Sequence, residues 1–230
     1  MTTAYNDWTA PVVAEGVYPP QEDSQLLIDV MDKTGLARGR RVADLCTGSG
    51  VVAIAAADQG ASEVTAFDIS PRAVHAARQQ VSTASVDVAV HLGSWARAAE
   101  FGPYDLVVCN PPYLPHDPGV QDLDVPSHIG PPRAWDAGYD GRLVLDPLCA
   151  SVRDLLTDGG TMLLVQSEFA EPRQTLAALA GSGLDAEILV WQWIPFGPVL
   201  SARAQWLEDT GRLDPGRREE ELVVIRADKA

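Results

Sequence analysis

The fold is decided by the stretch RVADLCTGSG at residues 41–50, which is followed by the helix-forming run VVAIA at residues 51–55. Its apolar first half predicts a short buried strand, and its glycines predict a turn that lets a ligand approach the backbone closely. Further along the chain, a second predicted strand ends in Asp68, whose carboxylate can accept hydrogen bonds from both hydroxyls of a ribose. Together these features predict a site for a nucleoside-containing cofactor.

Outward from this stretch, apolar runs alternate with segments of helical period along the chain. Strands are predicted at residues 41–45, 63–68, 86–92, 104–109, 160–166, 185–191 and 221–226. Helices are predicted at residues 22–33, 51–59, 71–81, 142–156 and 172–180. This alternation is typical of βαβ units, so we expect an α/β fold with a mostly parallel sheet.

Length and composition favour one domain without a membrane anchor. The chain has 230 residues, of which 46% are hydrophobic, and this suits a single domain over residues 1–230. No apolar run is long enough for a membrane span and the first residues do not resemble a signal peptide, so we expect a cytoplasmic location. Cys46, Cys109 and Cys149 are widely spaced, which indicates reduced thiols and no metal site.

The charge balance restricts the class of partner. The formal net charge is −15 at pH 7, and the resulting field repels phosphate backbones. Nucleic acid is therefore disfavoured, whereas a small molecule or a basic protein is favoured. The basic clusters at Arg38, residues 40–41 and residues 217–218 are interpreted as solvated surface, because short charge runs usually are.

A second informative stretch, NPPY at residues 110–113, directly follows the predicted strand 104–109. The side-chain oxygen of Asn110 and the carbonyl of Pro111 can both accept hydrogen bonds from one planar NH₂ group, and Pro112 helps to fix the backbone. Tyr113 is expected to lie flat against the π face of the same group. These four residues are the predicted catalytic set; the alternative is a proline-rich loop that merely ends a strand.

Two cofactors fit the glycine turn. Gly48, Gly50 and Ala53 match the GxGxxA spacing of dinucleotide-binding folds, in which a helix N-terminus faces pyrophosphate. Asp44 at the end of the first strand would repel a pyrophosphate but suits the cationic amino and sulfonium groups of S-adenosylmethionine. With the amine-binding turn at Asn110, this favours a methyltransferase over a dehydrogenase.

The assembled motifs resemble the HemK family of S-adenosylmethionine-dependent protein glutamine methyltransferases. The matching stretches are VYPPQEDS at residues 17–24, the glycine turn, FDISP at residues 67–71, the NPPY turn and RAWDAGYDGR at residues 133–142. The resemblance implies a doubly wound, Rossmann-like sheet of seven strands, the class I methyltransferase fold. It also implies a cofactor-closing segment and helix at residues 1–35, and the proline-rich residues 114–140 are expected to form a lid over the substrate.

The motifs and the resemblance together define the predicted cofactor-binding residues. These are Tyr18, Gln21, Asp23, Ser24, Asp44, Cys46, Thr47, Gly48, Gly50, Asp68, Ile69, Ser94, Trp95 and Asn110. Two of them depart from the family pattern: Cys46 occupies its first glycine position, and Ser94 stands where an aspartate usually meets the adenine amino group. A hydroxyl accepts less strongly than a carboxylate, so cofactor affinity is expected to be lower unless Trp95 compensates by packing on the adenine.

The resemblance implies N-methylation of a glutamine side-chain amide, with a translation release factor as the first choice of substrate. The chain starts close to the cofactor-closing segment and so matches the short branch, which lacks an N-terminal helical domain and works with a small zinc-binding activator subunit. Whether this chain needs such a subunit stays open. The alternatives are a methyltransferase for small-molecule amines or amides, an adenine-specific nucleic-acid methyltransferase, and a catalytically silent subunit that only binds cofactor.

Four further side chains have two interpretations each. His116 beside Asp117 is interpreted as a surface residue rather than a catalytic base. Trp191 and Trp193 alternate on a predicted strand, which favours a packed face over a substrate cleft. Glu168 follows a strand and is interpreted as a solvated loop carboxylate rather than a substrate contact.

Overall fold

The computed structural model describes residues 16–117 and 125–230. Its strands are β1 (Arg41–Leu45), β2 (Glu63–Asp68), β3 (Ala89–Leu92), β4 (Tyr104–Cys109), β5 (Leu156–Ser167), β6 (Asp185–Pro195) and β7 (Glu219–Asp228). Its α-helices are α1 (Glu22–Thr34), α2 (Val51–Asp58), α3 (Pro71–Ala84), α4 (Trp95–Ala98), α5 (Leu145–Ser151), α6 (Pro172–Gly181) and α7 (Pro198–Asp209). The remainder of the predicted N-terminal segment, residues 1–15, and residues 118–124 of the predicted lid lie outside the described residues.

All seven strands form one sheet in the order β3-β2-β1-β4-β5-β7-β6. Every neighbouring pair is parallel except those that involve β7, which runs antiparallel between β5 and β6. The predicted α/β class with a mostly parallel, doubly wound sheet is confirmed.

The strand order reverses between β1 and β4, and this reversal positions the site. Ligands of such sheets bind in the crevice at the carboxyl ends of the strands on either side of the reversal. Leu45, the last residue of β1, is the register partner of Cys109, the last residue of β4. The glycine turn and the NPPY turn therefore leave the sheet side by side.

Helix α7 was not predicted, although its sequence carries a helical signal. It starts at Pro198 directly after Gly197, and proline suits the first turn of a helix. Its buried residues follow helical spacing: Val199, Leu200, Arg203, Ala204 and Leu207. The buried arginine in this stripe weakens the apolar pattern. The predicted helix 142–156 is also shorter than expected, because α5 is followed by a 3₁₀ turn over Val152–Leu155 and by β5.

The prediction of a packed face for Trp191 and Trp193 is wrong. These residues are 48% and 53% exposed, and they lie on β6, the outermost strand of the sheet. A register shift between Ile188 and Val190 precedes them. The guanidinium of Arg217 lies 5.4 Å from the ring centre of Trp193, so this tryptophan packs on a cation rather than in the core.

The structure also corrects the interpretations of Glu168 and Arg217 as solvated groups. The carboxylate of Glu168 accepts hydrogen bonds from the Arg217 guanidinium at 3.2 Å and from the backbone N–H of Glu221 at 2.8 Å. Glu168 therefore ties the end of β5 to the start of β7. Over residues 16–117 and 125–230, no helix is both long enough and apolar enough to cross a membrane.

Candidate active site

A cavity of about 340 Å³ lies at the carboxyl ends of β1, β2 and β4. It brings together the glycine turn, the NPPY turn and the segment that precedes α1. Of the predicted site residues, those that line it are Tyr18, Asp23, Ser24, Asp44, Cys46, Thr47, Gly48, Asp68, Ile69, Ser94, Trp95, Asn110, Pro111, Pro112 and Tyr113. The two predicted halves of the site thus share one space.

Asp44 lines the cavity and is the next-to-last residue of β1. It is buried, and its Oδ2 atom accepts hydrogen bonds from the Thr47 hydroxyl at 2.5 Å and from the Ala53 backbone N–H at 3.1 Å. Burial raises the pKa of Asp44 to about 7, against these two hydrogen bonds, which lower it. A cationic group in the cavity would offset that desolvation and keep the carboxylate ionised.

The glycine turn has a left-handed backbone at three positions. Cys46 has a φ of 59°, Gly48 of 54° and Gly50 of 87°. The left-handed conformation at Cys46 explains why a glycine suits this position, since other residues are rarely found there. Gly50 does not line the cavity; a Cβ atom at this position would lie 3.1 Å from the Cβ of Ala77 on α3. Its role is close packing of the turn against α3.

Asp68 connects the end of β2 to the glycine turn. Its Oδ2 atom accepts a hydrogen bond from the backbone N–H of Gly48 at 3.0 Å, and its Oδ1 atom accepts one from Ser70 at 2.8 Å. Burial raises the pKa of Asp68. Each carboxylate oxygen has a second lone pair, so Asp68 keeps acceptor capacity for the hydroxyls of a ribose.

Three predicted residues at the ends of β2 and β3 form one wall of the cavity. Ser94 caps the short helix α4, and its hydroxyl accepts a hydrogen bond from the Ala96 backbone N–H at 3.3 Å. Trp95 follows it, and Ile69 lines the same cavity although its side chain is 67% exposed. An exposed isoleucine and a partly exposed tryptophan suit a flat, apolar guest such as a purine.

The NPPY turn is fixed by two side-chain hydrogen bonds to α1. Asn110 donates from Nδ2 to the Ser24 hydroxyl at 3.2 Å, and the Tyr113 hydroxyl donates to Oδ2 of Asp23 at 2.9 Å. Burial raises the pKa of Tyr113 well above its usual value. Tyr113 is thus a buried phenol that forms part of the cavity wall, and its stacking on a bound group stays a prediction.

Gln21 is placed outside the large cavity. It occupies the N-cap position of α1 and lines a separate cavity of about 30 Å³ near Gly197. Gln21 therefore differs from Tyr18, before it in the chain, and from Asp23, after it, which both line the large cavity.

His116 is also placed outside the large cavity. Its Nδ1 atom lies 2.7 Å from the carboxylate of Asp136, and the backbone of Leu114 forms a bridge with Asp136. This arrangement holds the chain beyond the NPPY turn against residues 135–138. A role for His116 in acceptor chemistry gains no support from its position.

Arg133 is a cavity-lining residue to which the sequence assigned no role. Its guanidinium donates to the Ser70 hydroxyl at 3.4 Å, and its charge lowers the pKa of Asp68. The signal was available, because Arg133 begins the stretch RAWDAGYDGR that resembles the family. The other arginine of that stretch, Arg142, is buried and bonds to Thr175 and Asp146, which anchors the stretch to α5 and α6.

Comparisons with known proteins agree with this geometry. The family model described as "Methyltransferase small domain" matches residues 16–127. A Methanocaldococcus jannaschii protein, named as a protein N5-glutamine methyltransferase without that assignment being firm, is 29% identical over 189 residues, which are 82% of this chain and 91% of that protein. The release factor glutamine methyltransferase of Deinococcus radiodurans is 37% identical over 180 residues, which are 76% of this chain and 62% of that protein. This chain thus spans less than two thirds of the Deinococcus relative.

Solved structures show the same fold. The structure of the E. cuniculi Mtq2-Trm112 complex, described as responsible for methylation of the eRF1 translation termination factor, matches with a TM-score of 0.61 and 24% identity, over 94% of this chain and 99% of that chain. The T. thermophilus 16S rRNA methyltransferase RsmC, solved with AdoMet and guanosine, matches with a TM-score of 0.56 and 17% identity, over 92% of this chain and 44% of that chain.

The fold and the cavity define a class I methyltransferase, the class whose cofactor is S-adenosylmethionine. Within this class, relatives with which the chain shares 29–37% identity are named as glutamine methyltransferases. The fold class and the cofactor predicted from the sequence are confirmed.

Proposed function

We propose that this protein methylates the side-chain amide nitrogen of a glutamine in a protein, with a translation release factor as the substrate. One observation carries the proposal: Asp44 of β1 and Asn110, which directly follows the neighbouring strand β4, line the same cavity. The names of the Deinococcus relative and of the E. cuniculi complex support the same substrate class.

The residues around the cavity fit the parts of S-adenosylmethionine. Asp44 suits its cationic end, Asp68 its ribose, and the wall formed by Ile69 and Trp95 its adenine. When bound, the cofactor supplies a methyl group on a cationic sulfur. The protein must keep that methyl next to the acceptor and away from water.

The acceptor is a poor nucleophile, because the lone pair of an amide nitrogen is delocalised. Asn110 and the carbonyl of Pro111 can accept hydrogen bonds from its two N–H groups, which orients the nitrogen and stabilises the positive charge that develops on it. The methylated nitrogen then loses one proton to water. The chain therefore needs no strong general base, in agreement with the position of His116 outside the cavity.

We further propose a small activator subunit as a partner, since the E. cuniculi structure is a complex with Trm112. A cytoplasmic location and a substrate lid at residues 114–140 stay predictions; the part of that segment after residue 124 contributes Pro131 and Arg133 to the cavity. Co-expression with a Trm112-type subunit, followed by a comparison of solubility and activity, tests the partner.

The substrate proposal is tested with purified protein, labelled S-adenosylmethionine and a release factor that contains a GGQ loop. We expect a gain of one methyl group on the loop glutamine by tandem mass spectrometry, and none on a release factor in which that glutamine is replaced by asparagine. A small-amide mixture and adenine-containing DNA serve as parallel acceptors. Label transfer to either of these, but not to the release factor, would contradict the proposal.

The role of Asn110 has its own test. The substitution Asn110→Ala removes the side-chain acceptor for the amide hydrogen, so we expect methyl transfer to fall by at least about 100-fold while cofactor affinity changes little. Activity is measured with saturating cofactor, and affinity by calorimetry. Unchanged activity would exclude Asn110 as an acceptor-binding residue.

A further inference from the structure

A buried carboxylate, Asp23, is linked to both ends of the NPPY turn, directly to Tyr113 and through Ser24 to Asn110. It lies in the first turn of α1 and is 5% exposed. Its Oδ2 atom accepts the hydrogen bond from the Tyr113 hydroxyl, at 2.9 Å. Its Oδ1 atom accepts hydrogen bonds from Ser24, at 2.6 Å from the backbone N–H and 3.3 Å from the hydroxyl. Ser24 in turn accepts the hydrogen bond from Asn110.

The direction of this chain of hydrogen bonds follows from the groups available. An ionised carboxylate only accepts, so the single hydroxyl hydrogen of Ser24 points toward Asp23. The Ser24 oxygen can then only accept from Asn110, which turns the NH₂ group of the Asn110 amide toward α1. The amide oxygen of Asn110 is thereby left for the acceptor.

A reversed amide at Asn110 would defeat the reaction. It would present two N–H donors to the acceptor's own NH₂ group, and donors repel donors. An asparagine side chain has nearly the same shape in both orientations, so packing alone does not select one. Selection must come from a neighbour with fixed polarity, and Asp23 acting through Ser24 is such a neighbour.

The second carboxylate oxygen fixes the other end of the turn. The ring of Tyr113 is buried and lines the cavity, and its hydroxyl bond to Asp23 holds the ring against α1. Hydrogen bonds therefore connect both ends of the turn to one carboxylate. This carboxylate belongs to the segment that is predicted to close over the cofactor.

We propose that Asp23 is a positioning residue for the acceptor, which sets the orientation of the Asn110 amide through Ser24 and the position of Tyr113 directly. This inference rests on the proposed acceptor role of Asn110, and the contact of Asp23 with the cofactor stays a prediction. Tyr18 and Asp23 both line the cavity, and Asp23 in addition organises the acceptor turn.

The test is the substitution Asp23→Asn, which keeps the size of the side chain but adds a donor, so that the Ser24 hydroxyl is free to turn toward Asn110. We expect the maximal rate of methyl transfer to fall about 10- to 100-fold, with little change in the dissociation constant of S-adenosylmethionine. Asp29→Asn is the matched control, because Asp29 lies on the same helix, bonds to Gln25 and does not line the cavity. The control should keep the wild-type rate.

Ser24 provides a check that separates positioning from general damage to the fold. Ser24→Ala should lower the rate, and Ser24→Thr, which restores a hydroxyl, should recover it. The proposal would be overturned if Asp23→Asn left the rate unchanged, or if it weakened cofactor binding by the same factor as the rate.

A measurement without an acceptor keeps this inference distinct from the proposed substrate. In ¹⁵N-labelled protein, the side-chain NH₂ of Asn110 should exchange with solvent slowly in the wild type and in Asp29→Asn, and much faster in Asp23→Asn. Equal exchange in all three proteins would contradict the inference, even if the true acceptor were not a glutamine. A wild-type protein that shows the slow exchange but methylates no glutamine would instead contradict the proposed function.

Discussion

At the scale of single residues, two buried carboxylates line the candidate site and differ in their hydrogen bonds. Asp23 is bonded on both oxygens by protein groups, which suits a structural role in the acceptor turn. Asp44 has two donors on one oxygen, and its burial raises its pKa to about 7. The ionisation of a carboxyl group with this pKa changes near neutral pH when a charged ligand binds beside it.

The raised pKa of Asp44 predicts a pH dependence of cofactor binding. A cationic cofactor favours the ionised carboxylate, so binding below about pH 7 must release a proton. We expect the affinity for S-adenosylmethionine to rise up to about tenfold between pH 6 and pH 8. Calorimetry in buffers of different ionisation enthalpy measures both the affinity and the released proton.

The variant Asp44→Asn is the control for this pH dependence. It cannot ionise, so its affinity should be lower and should vary less over the same pH range than that of the wild type. An identical pH profile in the two proteins would show that Asp44 does not face the cationic end of the cofactor.

At the scale of elements, the contact between the glycine turn and α3 gives a stability prediction. The substitution Gly50→Ala places a Cβ atom 3.1 Å from the Cβ of Ala77 at a position where φ is +87°. Gly35→Ala at the end of α1 has a similar left-handed backbone, with φ of +64°, but no atom within 4 Å of the new Cβ. The two variants differ mainly in crowding.

We expect Gly35→Ala to lower the free energy of unfolding by about 1 kcal/mol, the usual cost of a left-handed alanine. Gly50→Ala should cost about 1–3 kcal/mol more, because the turn must move away from α3. Urea unfolding monitored by tryptophan fluorescence measures both. Equal losses in the two variants would show that the turn has room at Gly50.

The elements also show how far the sequence could lead. The glycine turn and the NPPY turn could be recognised in the sequence because each is a contiguous stretch. The backbone conformation of each depends mainly on its own residues. Helix α7 was missed because the buried Arg203 interrupts its apolar stripe, and Arg203 is satisfied by tertiary partners, among them the Pro115 carbonyl. Gln21 was misplaced because one residue within a matching segment can face away from the cavity that its neighbours line.

At the scale of the whole molecule, buried acids make stability depend on pH. Burial raises the pKa of Glu220 to about 8 and that of Asp44 to about 7. Because both folded-state pKa values lie above those of the unfolded chain, the folded state binds more protons between about pH 4 and pH 8. The contribution of these two groups to stability is therefore greatest below that range and decreases as pH rises through it.

This gives a prediction for Glu220→Gln, which keeps the shape of the side chain and removes its charge. We expect the melting temperature of the wild type to fall between pH 6 and pH 9, and that of the variant to fall less, so that the variant is the more stable protein at pH 9 by several degrees. Differential scanning calorimetry measures both. A wild type as stable at pH 9 as at pH 6 would contradict the burial of an ionisable Glu220.

The register match between Leu45 and Cys109 has a consequence for how proteins with this fold can diversify. The glycine turn and the NPPY turn follow adjacent strands of one rigid sheet. The distance between the proposed cofactor and acceptor sites therefore depends on the spacing between neighbouring strands, roughly 4.8 Å. The proposed sites for the methyl donor and the acceptor are thus already aligned before a substrate binds. The loops at the carboxyl ends of the strands can therefore vary with the substrate, while the sheet that carries them stays unchanged.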